Sequence, residues 1–177
     1  MSYHLCCISN LLADDGHKFQ TMTWHRFSQL DRTEAIATVS ARTLNNIRVT
    51  RKTLLHCGTH GWGYRASSNL FPLLTYDVAQ LKLEDYPDYN DIMATLADCA
   101  SVVNDYDIRV SCHPDQFNVL ASTGQAQVDK TIVELNHHGW LMDRLTDMVG
   151  CHCDYRCPIN IHVNNTKGDP ADIAARF

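Results

Sequence analysis

The sequence predicts an α/β fold organised around a parallel sheet, and three observations carry that reading. Short strand-like apolar runs alternate with longer runs of helical periodicity, the pattern of βα units in series. No Gly-rich phosphate fingerprint follows the first strand candidate, which weakens a dinucleotide-binding, doubly wound sheet. Polar residues instead follow every strand candidate: Ser9-Asn10, Ser67-Ser68, His113 and His162. Chemistry placed at C-terminal strand ends is the habit of (β/α)8 barrels. The favoured architecture is therefore a partial barrel with about four βα units, read as a single domain over residues 1–177.

The first strand is expected from Tyr3 to Ile8, before a polar loop at Ala13-Asp-Asp-Gly16. Ile36, Val39, Leu44, Ile47 and Leu54 recur near helical spacing, so Thr33 to Leu55 reads as an amphipathic helix. Gly58 and Gly61 then punctuate the chain ahead of a strand from Trp62 to Ala66. A helix from Tyr89 to Val103 follows, with Ile92, Leu96 and Cys99 on one face, and then a strand from Ile108 to Cys112. The next helix, Gln127 to Met148, carries Val128, Ile132, Leu135 and Leu145. Pro158 to Val163 is the fourth strand, and Asp169-Pro170 opens a helix, since Asp accepts the first free N–H groups and Pro suits the first turn.

Composition sets limits. Hydrophobic residues are 45% and charged residues 20% of the 177, ordinary for a globular chain with a sizeable core. No apolar run approaches the roughly 18 residues of a membrane span. Met1-Ser-Tyr-His4 lacks the basic start and long apolar core of a secretory signal, so no membrane association and a cytoplasmic location are expected. Of the eight cysteines, Cys6, Cys7, Cys57, Cys99 and Cys112 sit in apolar or helical stretches, which favours reduced, buried thiols over a disulfide framework. A net charge of −5 argues against binding nucleic acid through bulk positive charge, but not against a local site where divalent cations reverse the sign.

His113 and His162 close successive strands, and in a parallel barrel both would face one mouth. Neutral imidazoles are good ligands for zinc, manganese or iron, so the pair could hold metal with carboxylates, or each could simply bond a loop. Beyond His113, Pro114 fixes the chain and Gln116-Phe117 would project above the mouth. There a ring can wedge between bases while an amide reads base edges, although core packing of Phe117 is the simpler alternative. Arg65 could orient a ligand or contact a phosphate, or be a buried cation paired inside the barrel. Cys151-His-Cys-Asp-Tyr-Arg-Cys157 is rich in soft ligands, but its spacing lacks a second knuckle unless Cys57 and His60 complete it. His137-His138 is expected to pack or cap within a helix, and Arg42, Arg48, Arg51 and Lys52 to form a solvated helix face.

Three strings carry a family resemblance: Tyr64-Arg-Ala-Ser-Ser-Asn-Leu-Phe-Pro72, Ser111-Cys-His-Pro-Asp-Gln-Phe117 and Ile159-Asn-Ile-His-Val163. In order and spacing they resemble the UV-damage endonucleases. Glu134-Leu-Asn-His-His138 and the segment from Gly168-Asp169 to Arg176-Phe177 add weaker support. The resemblance implies a barrel related to endonuclease IV with a divalent metal cluster, usually manganese, in its mouth. It implies metal-assisted hydrolysis of the DNA backbone 5′ to ultraviolet photoproducts in damaged double-stranded DNA. By correspondence His113 and His162 would be metal ligands and Gln116 and Phe117 would probe the lesion; Asn10 and Arg65 are further candidates for contact with DNA. No single catalytic residue is assigned by the resemblance.

The sequence also departs from that pattern. His4-Leu5 stands where the family commonly has Gly-Tyr, Ser9 competes with Asn10 for one aligned position, and Asn164-Asn165 replaces a glycine pair. Asn tolerates left-handed backbone better than most residues, so that turn can survive. In the family, further ligands come from later strands. This polypeptide alone is accordingly expected to bind metal weakly, and either to need a complementary C-terminal half or to be a truncated product. Two other classes compete: a metal-dependent sugar isomerase-like barrel, and a non-catalytic DNA-binding or zinc-stabilised remnant.

Overall fold

A computed structural model of the chain describes residues 6–7, 12–146, 157–163 and 168–176. Among these the sheet contains β1 (Cys6–Cys7), β2 (Gly63–Ala66) and β3 (Val110–Cys112). The strands are parallel and neighbour one another in chain order, with Cys7 opposite Tyr64 and Ala66 opposite Cys112. The expected fourth strand is reduced to a parallel bridge between Cys112 and Ile159, held by Cys112 N–H to Pro158 O and Asn160 N–H to Cys112 O. Pro158 has no N–H to continue a ladder outward, which suits an edge position.

The helices are α1 (Trp24–Phe27), α2 (Arg32–His60), α3 (Tyr89–Asp105), α4 (Gln125–Thr146) and α5 (Pro170–Ala174). Helix α2 packs on α3 and α3 on α4, while α2 also covers β2 and α4 covers β3. One face of the sheet thus lies under a helical layer. Tyr64, Ala66, Val110 and Cys112 are buried on that side with Ile47, Leu54, Leu96 and Leu145. Because side chains alternate along a strand, Arg65 and Ser111, which pair in register, occupy the opposite face together with His113.

Several local expectations need correction. Gly58 does not end α2, which runs on to His60. A Cβ on Gly58 would lie 2.5 Å from Cγ of Tyr106, so glycine is what lets α2 approach the end of α3. Gly61 is the true stop: at φ 66° it turns left-handed, and Trp62 N–H bonds back to Cys57 O. On α4 the buried face is Thr131, His138, Leu141, Met142 and Leu145, whereas Ile132 is exposed. Arg42 and Arg51 are half-buried rather than solvated. Arg42 donates to Thr21 O and sits 3.2 Å from Met22 Sδ, and Arg51 pairs with Asp98 at 3.5 Å.

Asn46, fully buried in α2, is a structural residue that periodicity does not announce. Its Oδ1 accepts Gln20 N–H at 2.7 Å, and its Nδ2 donates to Gln20 O at 2.9 Å and Leu70 O at 3.1 Å. One amide therefore pins both the 18–22 segment and the loop after β2, in an interior where unpaired backbone groups would be costly. Cys57, Cys99 and Cys112 are buried thiols outside any disulfide, and burial pushes Cys99 up to about 12 and Cys112 up to about 11. They act as small core hydrophobes. Among the described residues, no helix is long and apolar enough to cross a membrane.

Candidate metal and nucleic-acid site

The sheet brings together two histidines that stand far apart in sequence. His113 immediately follows β3, and His162 follows the bridge residue Ile159 by three positions. Alternation from Cys112 and Ile159, both on the helix side, sends His113 and His162 to the opposite face. Their ring centroids are 4.6 Å apart. Arg65, the one exposed residue of β2, reaches the same place and donates Nη2–H to His113 Nδ1 at 2.8 Å. Arg65 is thus neither buried nor paired with a carboxylate among the described residues.

The proton affinity of His113 is lowered. Its ring is pushed below the ordinary imidazole range by partial desolvation, by the Arg65 guanidinium and by His162. Two adjacent imidazoles, one biased toward the neutral form that ligates, are a donor set suited to a divalent transition metal. No group of three or more His, Cys, Asp or Glu residues with ligating geometry occurs among the described residues. The pair fits a metal as two of its ligands and does not complete a coordination shell.

The loop leaving His113 is braced at both ends. Pro114 is buried, and Asp115 Oδ1 accepts Phe117 N–H at 2.9 Å. Asn118, also buried, closes the turn with its backbone N–H on Asp115 O at 3.0 Å. From α4, Gln127 Nε2 donates to Phe117 O at 2.7 Å, and Thr131 Oγ1 accepts Val119 N–H at 3.1 Å. The result is a fixed backbone carrying an outward ring: Phe117 is 71% exposed. Gln116 is exposed beside it. Core packing of Phe117 is thereby excluded, and Asp115, Gln127 and Thr131 emerge as supports that sequence reasoning missed. The Asp two positions before Phe117 was the available signal, because an Asx-type turn needs an acceptor there.

The remaining sequence candidates separate from this site. A cavity of about 240 Å³ lies between Ser68, Asn69, Asp115, Asn118 and Glu134, with neither His113 nor His162 in its wall. His138 is buried and bonds Glu134 O through Nδ1 at 2.7 Å, while His137 stacks on Trp140. Both serve helix packing. Cys57 belongs to the core, which removes it from a zinc site shared with Cys151 and Cys153. Asn10 and residues 151–156 lie outside the described residues, so the DNA-contact role of Asn10 and the cysteine cluster stand as sequence readings.

The sequence model of the family described as UV-endonuclease UvdE matches residues 2–177. The UV DNA damage endonuclease of Bacillus velezensis is 28% identical over 165 residues, covering 92% of this chain and 48% of that protein. The UV DNA damage endonuclease of Bacillus pumilus is 23% identical over 179 residues, covering 100% of this chain and 52% of that protein. The crystal structure of SacUVDE has the same fold, with a TM-score of 0.75 at 23% identity over 99% of this chain and 54% of that one. The chain spans about half the length of the curated relatives it matches. On the strength of the match to residues 2–177, the chain belongs to the UV-endonuclease UvdE family.

Proposed function

We propose that the chain is the lesion-recognition half of a metal-dependent DNA-repair endonuclease that cuts 5′ to ultraviolet photoproducts. The observation that carries this reading is the placement of His113, His162 and Arg65 on one sheet face, with exposed Phe117 on the loop that leaves His113. Its architecture is read as part of a (β/α)8 barrel. Parallel strands in chain order under a helical layer support that reading, since a doubly wound sheet would reverse its order.

His113 and His162 would hold a divalent metal, manganese being the first candidate. The chemistry such an ion supplies is activation of water and stabilisation of the leaving oxygen of a phosphodiester. The chain's own residues prepare the substrate. Phe117 enters the duplex from a loop anchored by Asp115 and Gln127, so the backbone does not yield when the ring meets stacked bases. Gln116 presents an amide to the base edges that Phe117 exposes. Photoproduct sites are already partly unstacked, and insertion there costs less than in intact duplex. Two imidazoles are a partial donor set, and in this reading the remaining ligands would be supplied by a complementary C-terminal half.

A nicking assay tests the reading. Purified chain with Mn2+ is incubated with ultraviolet-irradiated and undamaged duplex, alone and together with the C-terminal half of a relative. Cutting 5′ to photoproducts only when both halves are present is the expected result. Robust cutting by the chain alone overturns the half-enzyme reading, and no cutting by the folded pair overturns the nuclease reading.

A further inference from the structure

The group facing His113 is a cation that can donate hydrogen bonds but never accept them. A guanidinium carries only N–H groups, so at 2.8 Å the Nδ1 of His113 must present its lone pair to Arg65. The ring proton then resides on Nε2, and neither nitrogen has a lone pair left for a metal. Ligation through Nδ1 needs the lone pair that Arg65 occupies. Ligation through Nε2 needs the proton moved to Nδ1, where it would face a guanidinium N–H, donor against donor. Either route breaks the contact. Charge acts in the same sense, because Arg keeps its proton at any physiological pH and would stand beside a divalent cation.

We propose that Arg65 is a placeholder at the metal site: it holds His113 in the metal-free chain and must leave for His113 to become a ligand. Arg65 is a positioning residue, and its role rests on the metal-site reading above. Its release is structurally easy. The side chain is exposed, and among the described residues no carboxylate anchors it elsewhere. The ring it holds already lies beside His162, at 4.6 Å between centroids.

The test is a Co2+ titration of the full chain, read by ligand-field absorption, with His113→Ala as the baseline for other imidazoles and thiols. Arg65→Met keeps the side-chain length and removes the donors. The expected result is about three- to tenfold tighter Co2+ binding by Arg65→Met, the range set by loss of one competing hydrogen bond. Unchanged or weaker binding, with the His113-dependent signal intact, overturns the placeholder. If His113→Ala alters nothing in either background, the metal-site reading itself fails. Nitrogen-15 NMR of the metal-free chain gives a separate readout: an unprotonated Nδ1 and protonated Nε2 on His113 are expected, and a proton on Nδ1 overturns the proposal.

Discussion

Asp115 Oδ1 accepts the backbone N–H of Phe117 at 2.9 Å, so the carboxylate inside the His113–Phe117 segment sets the angle at which the aromatic ring leaves the protein. Gln127 holds the next peptide, on the other side of the same residue, through Phe117 O. The wedge is therefore a rigid element of the fold, and its loss should affect DNA without affecting folding. Phe117→Ala should lower the preference for irradiated over undamaged duplex by about 1–3 kcal/mol, the usual worth of one base–aromatic stack. Its unfolding free energy should stay within about 0.5 kcal/mol of wild type, as for other exposed positions. Asp115→Ala should produce part of the same loss with the ring still present. Fluorescence anisotropy on matched duplexes, with urea melts alongside, checks both variants. An unchanged preference in Phe117→Ala would remove the wedge from the mechanism.

Gly58 touches a different relationship, the approach of α2 to the end of α3. Helix propensity alone predicts that Gly58→Ala gains about 1 kcal/mol in a helix interior. The new methyl would meet the Cβ and Cγ of Tyr106 at 2.8 and 2.5 Å, atoms near the backbone that cannot swing aside. Overpacking of this kind costs typically about 1–3 kcal/mol and should outweigh the propensity gain. Gly58→Ala is expected to lower the urea midpoint, and Tyr106→Ala in the same chain should recover part of that loss, because it removes the Cγ contact but keeps the Cβ at 2.8 Å. A rise in the midpoint of the single variant would mean that the two helices can slide apart at little cost.

These two cases show what local sequence could and could not convey. The α2 stripe of Val39, Leu44, Ile47 and Leu54 is legible because burial follows helical periodicity. The role of Gly58 is not, since a glycine in sequence signals a stop and its use in a close approach depends on Tyr106, which lies far along the chain. Asn46 is silent for the same reason, its partners Gln20 and Leu70 lying 26 and 24 residues away. At the site, strand ends predicted that His113 and His162 face the same way, because alternation and parallel order require it. The Arg65–His113 contact spans 48 residues, and sheet register alone brings it about. The apolar residues from Ile159 onward read as a full strand in sequence, while among the described residues their pairing is one bridge to Cys112.

His137 makes the fold sensitive to acid. The ring lies between Phe71 and Trp140, and desolvation, then the neighbouring His138, lowers it from 6.5 to about 4. The unfolded chain therefore binds a proton at mildly acidic pH that the folded chain refuses. Stability from this group is complete above the unfolded value of 6.5 and falls as pH drops through it toward about 4. Between about pH 7 and pH 5 the loss should be about 1–2 kcal/mol. His137→Gln cannot titrate, so its stability should change less over the same interval, even if its starting value at neutral pH is lower. Urea melts of both chains at the two pH values supply the comparison, and the slope difference is the quantity to read. Equal pH dependence in the two chains would show that His137 takes up its proton without leaving the Phe71–Trp140 packing, and that acid sensitivity arises elsewhere.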